Sequence, residues 1–99
     1  MNAIRVIVDY KTKKTMTESK IQKQIIDNFT DRGFMVIKLM KTNTNGIPDL
    51  LILKNGIAKF VEVKKPGGKI LQLQKYRIKK LREQGFDAVV MDGIDSIIY

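Results

Sequence analysis

The 99-residue chain contains no cysteine, no histidine and no tryptophan. Without cysteine, the protein cannot form disulfides, use a thiol nucleophile or build a zinc site from thiolates. Without histidine, it cannot contain a Ser-His-Asp triad, an HExxH zinc site or a nuclease site with an imidazole general base. Any chemistry must therefore come from carboxylates, amines, hydroxyls and hard metal ions.

Long apolar runs are also missing. No segment approaches the roughly 20 apolar residues that a membrane span needs, and residues 1–10 lack the apolar centre of a signal peptide. A chain of this length with 43% apolar residues is typical of one compact domain, here residues 1–99. We therefore expect a soluble cytoplasmic protein, or one of the host cytoplasm if it is phage-encoded, with no membrane partner.

Acidic residues are few, since 19 lysines and arginines against 10 acids give a net charge of +9. Residues 38–80 contain eleven of these bases but only two acids, Asp49 and Glu62. A concentrated basic segment suits a polyanion, because each phosphate that it neutralises releases condensed counterions. The alternative is a solvated lysine-rich surface without a partner. The two carboxylates would repel a phosphate backbone unless a lysine or a divalent cation lies between them.

Apolar periodicity predicts one α/β domain with a central mixed sheet. Thr15 and Glu18 have the spacing of a capping box, and the amphipathic helix that follows them ends at Gly33. A second helix is predicted for residues 71–84. Strands are predicted for residues 1–10, 34–40, 50–53, 57–63 and 86–91. After the first short strand, the predicted order is α-β-β-β-α-β.

The two isolated carboxylates flank a predicted hairpin turn, Asn55-Gly56, which is typical of type I′. Asp49 lies six residues before this turn and Glu62 lies six residues after it, so the two should be opposite or nearly so. Strand alternation places Glu62 and Lys64 on the same face. Two carboxylates and an ammonium suit phosphodiester hydrolysis assisted by Mg²⁺. A simple cross-strand ion pair explains the spacing equally well.

The residues around this pair resemble the PD-(D/E)xK nuclease signature. The matching segments are Ile47-Pro48-Asp49 and Glu62-Val63-Lys64. Further features are similar to the VRR-NUC branch: an acid at the start of the first helix, Gly-x-Pro-Asp, Pro-Gly after Glu-Val-Lys, and a glutamine in the next helix. Together they span residues 17–91. The resemblance implies a restriction-endonuclease-like core, a central mixed β-sheet flanked by helices.

The same resemblance implies a role for each matching position. Asp49 and Glu62 would bind Mg²⁺ or Mn²⁺ together with the backbone carbonyl of Val63. Lys64 would position the attacking water. In this family an aromatic residue usually occupies the position of Arg77, and this chain departs from that pattern.

Two further positions have an alternative explanation each. Glu18 would complete the acidic cluster as a catalytic residue and metal ligand, through water or a second ion, or it would serve only as the capping partner of Thr15. Gln74 replaces an apolar residue on the inner stripe of the second helix, so it would contact the catalytic site or hydrogen-bond locally.

Stand-alone members of this branch resemble Holliday-junction resolvases. The resemblance of this chain to the branch therefore implies a DNA substrate. A two-fold symmetric homodimer matches the symmetry of a four-way junction. The first hypothesis is therefore a Mg²⁺- or Mn²⁺-dependent structure-selective endonuclease that cuts branched DNA. The alternatives are a non-catalytic nucleic-acid-binding module and a basic structural protein. The residues expected to bind nucleic acid are Lys41, Lys65, Lys69 and Lys75.

Overall fold

The computed structural model describes residues 16–99, in which a mixed five-stranded sheet lies between two helices. The strand predicted for residues 1–10 and the residue Thr15 lie outside this range. The helices are α1 (Glu18–Asp31) and α2 (Gln72–Glu83). The strands are β1 (Met35–Lys38), β2 (Leu50–Lys54), β3 (Ile57–Val63), β4 (Asp87–Gly93) and β5 (Ser96–Ile97). The predicted fold class and the α-β-β-β-α-β order are confirmed, with β5 added after β4.

Helix α1 begins with a hydroxyl cap. The side chain of Thr17 accepts a hydrogen bond of 3.2 Å from the backbone N–H of Lys20. The cap predicted at Thr15 is therefore wrong, because Thr17 provides the hydroxyl and Glu18 is the first helical residue. The buried side chains recur every four residues and form the face that packs on the sheet: Ile21, Ile25 and Phe29.

The strands are arranged in sequence order across the sheet, β1-β2-β3-β4-β5. Strands β3 and β4 are parallel and are connected through α2, whereas the other neighbours are antiparallel. In residues 16–99, neither helix is both long and apolar enough to cross a membrane.

The hairpin of β2 and β3 sets the position of the two carboxylates. Its turn residues have positive φ, 51° at Asn55 and 78° at Gly56, as a type I′ turn requires. The ladder ends where the first residue of β2 pairs with Val61. One step further along both strands places Asp49 opposite Glu62, as the spacing predicts.

Side chains that alternate along the strands divide the interior into two layers. The layer under α1 contains these buried residues of the sheet: Leu50, Ile52, Val61, Val63, Val89 and Met91. In the other layer, Ile78 of α2 packs against Ala88 and Val90. Because Glu62 and Lys64 alternate with Val61 and Val63, their side chains point into the α2 layer.

Candidate active site

Glu62 is a buried carboxylate near the end of β3, with only 3% of its surface exposed. Its Oε2 accepts a hydrogen bond of 3.0 Å from Gln74 Nε2 and lies 3.7 Å from Lys64 Nζ. The pKa of Glu62 is raised to about 8, mainly by burial and to a smaller extent by the negative charge of Asp49. The positive charge of Lys64 acts in the opposite direction. The raised pKa favours the protonated form of Glu62 at neutral pH unless a metal ion binds beside it.

Asp49 is half-buried where the chain enters β2. Its Oδ2 accepts a hydrogen bond of 2.9 Å from the backbone N–H of Val63. Its backbone carbonyl accepts a second bond, 2.8 Å long, from the N–H of Leu39. These bonds fasten Asp49 to the strands on both sides, so the sheet fixes its position although it lies at the end of a loop.

Lys64 follows β3 directly and is only 9% exposed. Its backbone N–H donates to the carbonyl of Met91 at 3.0 Å, which continues the pairing with β4. Its Nζ lies 3.7 Å from Glu62 Oε2, and its positive charge partly offsets the rise in the pKa of Glu62 that burial causes. Strand pairing therefore holds the ammonium beside the carboxylates.

Gln74 connects the start of α2 to this pair. Its Oε1 accepts a hydrogen bond of 3.0 Å from the backbone N–H of Leu71, and its Nε2 donates to Glu62. The amide thus makes both the site contact and the local contact that the sequence left as alternatives. By occupying Glu62 Oε2, it orients the carboxyl group.

Glu18 is exposed in the first turn of α1, the helix that covers the opposite face of the sheet. Its charge still contributes to the raised pKa of Glu62. However, residues 16–99 contain no group of three or more acidic residues close enough to hold a metal ion. Glu18 is therefore not a direct third ligand beside Asp49 and Glu62, and a role through water or a second ion stays a prediction.

The remaining donors fit a hard divalent cation. In the hydrogen bonds and ion pairs of residues 16–99, Asp49 uses only Oδ2 and Glu62 uses only Oε2. Asp49 Oδ1 and Glu62 Oε1 are left for a ligand, and carboxylate oxygens are the ligands that Mg²⁺ and Mn²⁺ prefer. The raised pKa of Glu62 agrees with this, since a cation there would take the place of a proton.

The loop that leads to the site, residues 42–48, is fastened to α2 by contacts that were not predicted from the sequence. Arg77 Nε donates to the carbonyl of Asn45 at 2.7 Å. Gly46 has a φ of +82°, and a Cβ added there would lie 2.6 Å from Leu73 Cγ. Only glycine combines this backbone conformation with so close an approach.

The four lysines expected to bind nucleic acid do not form a single patch. Lys69 and Lys75 line one cleft of about 680 Å³. Lys65 is exposed in the turn that follows β3, and Lys41 is exposed in the loop before Asp49. The two exposed lysines thus flank the chain segments that enter and leave the site.

A second cleft, of about 610 Å³, shares Lys75 with the first and continues along α2. We call the two clefts together the basic groove; its charged and aromatic lining includes Lys69, Lys75, Lys79, Arg82, Tyr76 and Tyr99. Lys75 Nζ and Arg82 Cζ lie 5.6 Å and 5.2 Å from the ring centre of Tyr99. The spacing of residues 75, 79 and 82 is one stripe of a helix, and this signal could have identified the groove.

A mixed sheet that presents two opposed carboxylates and a lysine at the end of one hairpin has the architecture of a nuclease domain. The family model of the VRR-NUC domain matches residues 5–95. The chain belongs to the VRR-NUC domain family, as the motifs predicted, and the expectation of a nuclease is confirmed at that level.

Two relatives agree with this assignment. The chain is 30% identical over 83 residues to "Putative nuclease p44" of Acyrthosiphon pisum secondary endosymbiont phage 1, and the match covers 83% of this chain and 89% of that protein. It is 33% identical to a solved structure described as a VRR-NUC domain. That match covers 78% of this chain and 85% of the other, with a TM-score of 0.70.

Proposed function

We propose that the protein is a Mg²⁺- or Mn²⁺-dependent endonuclease that cuts branched DNA as a homodimer. The observation that carries this proposal is the placement of Asp49 and buried Glu62 opposite each other, with Lys64 beside them. A non-catalytic DNA-binding module gains nothing from two acids and a buried lysine in a basic surface. Membership in the nuclease family supports the same conclusion.

In the proposed mechanism, Asp49, Glu62 and the carbonyl of Val63 would hold the cation, and Glu18 would contribute through water or a second ion. The cation would lower the pKa of a bound water and offset negative charge on the phosphate. Lys64 orients the attacking water, and its charge stabilises the phosphate oxygens as charge builds on them. Gln74 keeps Glu62 in place by holding Oε2.

The lining of the basic groove is evidence that this surface binds a single-stranded arm of the branched DNA. Single strands are recognised by cations that follow the backbone and by aromatic rings on which bases stack. The groove combines both, since Tyr76 and Tyr99 are 49% and 41% exposed among its cations. Its acid, Glu83, already has a cation partner, Lys80 Nζ at 3.3 Å.

The homodimer is supported by β1, which among residues 16–99 is an edge strand of the sheet. On this strand Met35 is 63% exposed and Ile37 is 39% exposed, and nearby Met40 is 83% exposed. An edge strand with exposed apolar side chains favours pairing with a second chain. We expect Ile37→Lys to shift the protein from dimer to monomer in sedimentation equilibrium. A wild-type protein that sediments as a monomer would contradict the dimer.

The activity can be tested with labelled four-way junctions, flaps, splayed arms and linear DNAs, each incubated with Mg²⁺, Mn²⁺ or EDTA. We expect cation-dependent cuts in branched DNA, lost in Asp49→Asn and kept in the surface control Asp31→Asn, at the exposed end of α1. Cleavage in EDTA would refute metal dependence, and equal cutting of linear duplex would refute selectivity for branches. DNA binding without any cleavage would favour the non-catalytic module.

A further inference from the structure

The β2–β3 ladder alternates between pairs that exchange two backbone hydrogen bonds and pairs that exchange none. A two-residue type I′ turn is flanked by a pair of the first kind. The same kind recurs at every second pair along the hairpin, which includes the pair of Leu50 with Val61. One further step of two residues along each strand would pair Pro48 with Val63.

One of its two bonds cannot form, because proline has no backbone N–H to donate to the Val63 carbonyl. The other would run from the Val63 N–H to the Pro48 carbonyl, but that N–H donates to the carboxylate of Asp49 at 2.9 Å. The N–H and C=O of one strand residue point to the same side, so the Val63 carbonyl also faces Asp49. The backbone N–H of Lys64, the next residue, points to the other side of the strand and donates to the carbonyl of Met91 in β4, as the alternation requires.

We propose that Pro48 is a positioning residue that keeps the Val63 carbonyl free to serve as a metal ligand beside Asp49 and Glu62. Any other residue at position 48 would supply an N–H where the ladder requires one and would engage this carbonyl. The proposal rests on the proposed function, because it assumes that the site binds a divalent cation. It assigns a role to Pro48, whose side chain is buried.

Two replacements of Pro48 test the proposal by isothermal titration with Mn²⁺. Pro48→Ala removes the ring and adds an N–H, whereas lactic acid at position 48 removes the ring and has an ester oxygen in place of the N–H. One competing hydrogen bond is expected to weaken Mn²⁺ binding by about 2- to 12-fold in Pro48→Ala. The lactic acid variant is expected to bind as wild type does. Pro66→Ala, in the turn after β3, is the matched control.

A second readout needs no metal. In metal-free Pro48→Ala, the amide at position 48 should exchange slowly with deuterium, because it donates to Val63. Rapid exchange there, or equal loss of Mn²⁺ affinity in both Pro48 variants, would overturn the proposal. If the wild-type protein binds no Mn²⁺, the proposed function fails as well, and slow exchange at position 48 would then show that the ladder register alone was correct.

Discussion

The raised pKa of Glu62 predicts an unusual dependence of stability on pH in the metal-free protein. An unfolded glutamate titrates near 4.5, and the folded value is about 8. Between these values the folded state binds more protons than the unfolded state, so stability falls as pH rises through this window. Stabilisation by the protonated group is therefore fully present below pH 4.5 and lost by about pH 8.

The size of the effect follows from the same two values. A difference between 4.5 and about 8 corresponds to an upper limit of about 5 kcal/mol, at about 1.4 kcal/mol per pH unit. Relaxation around an ionised Glu62 will reduce this limit, and we expect a loss of the order of 2–5 kcal/mol. No other side chain ordinarily titrates between pH 5 and 8, because the chain has neither histidine nor cysteine.

Urea unfolding in EDTA at pH 5, 6.5 and 8 measures this loss. Glu62→Gln should unfold at the same urea concentration as wild type at pH 5 and at a higher concentration at pH 8, since glutamine stays neutral and can still accept from Gln74. Glu83→Gln, an exposed glutamate on α2, is the control and should follow wild type. Addition of Mn²⁺ at pH 8 should stabilise wild type more than Glu62→Gln.

The reasoning is refuted if wild type and Glu62→Gln show the same change in stability between pH 5 and pH 8. That outcome would mean that Glu62 ionises in the folded protein without a penalty. A smaller loss in Glu83→Gln than in wild type would instead locate the pH dependence on the surface.

Three further outcomes are expected. Lys64→Ala should abolish cleavage and leave DNA affinity within about twofold, measured by fluorescence anisotropy in EDTA; wild-type turnover would contradict its role. Gly46→Ala should lower the free energy of unfolding by about 1–3 kcal/mol, and by more than Gly56→Ala, whose added Cβ meets nothing within 4 Å. Log affinity for single-stranded DNA should fall with log salt, with a slope of about 0.7 per phosphate contact. Lys79→Ser should remove about one phosphate contact and so lower the slope by about 0.7. An equal reduction in Lys20→Ser would argue against the groove as the binding surface.

The fold and the pairing of the two acids could be predicted because local chemistry determines them. The Asn55-Gly56 turn fixes the register of the hairpin, and counting along each arm then places Asp49 opposite Glu62. Strand alternation gives the shared face of Glu62 and Lys64 without any knowledge of the rest of the molecule. These inferences depend on short-range geometry only.

Other features depend on how distant elements dock, and the sequence pattern does not encode this. The apolar stripe of α1 predicts that the helix faces the core, but not which face of the sheet it covers. The contact of Arg77 with Asn45 joins residues 32 positions apart. Tyr99 reaches the basic groove because its backbone oxygen accepts a 3.0 Å bond from Arg82.

The hairpin also limits how this chain can be lengthened. Since Asp49 and Glu62 are equally far from the turn, an insertion in one arm alone would slide one carboxylate past the other. Equal insertions would preserve the match, but a two-residue turn requires a hydrogen-bonded pair beside it, so each arm must grow by two residues at a time. Insertions in the arms are therefore tolerated only as two residues in each arm, four in all. A longer segment can instead replace the turn itself, which makes the turn a natural position for grafting a substrate-selecting module.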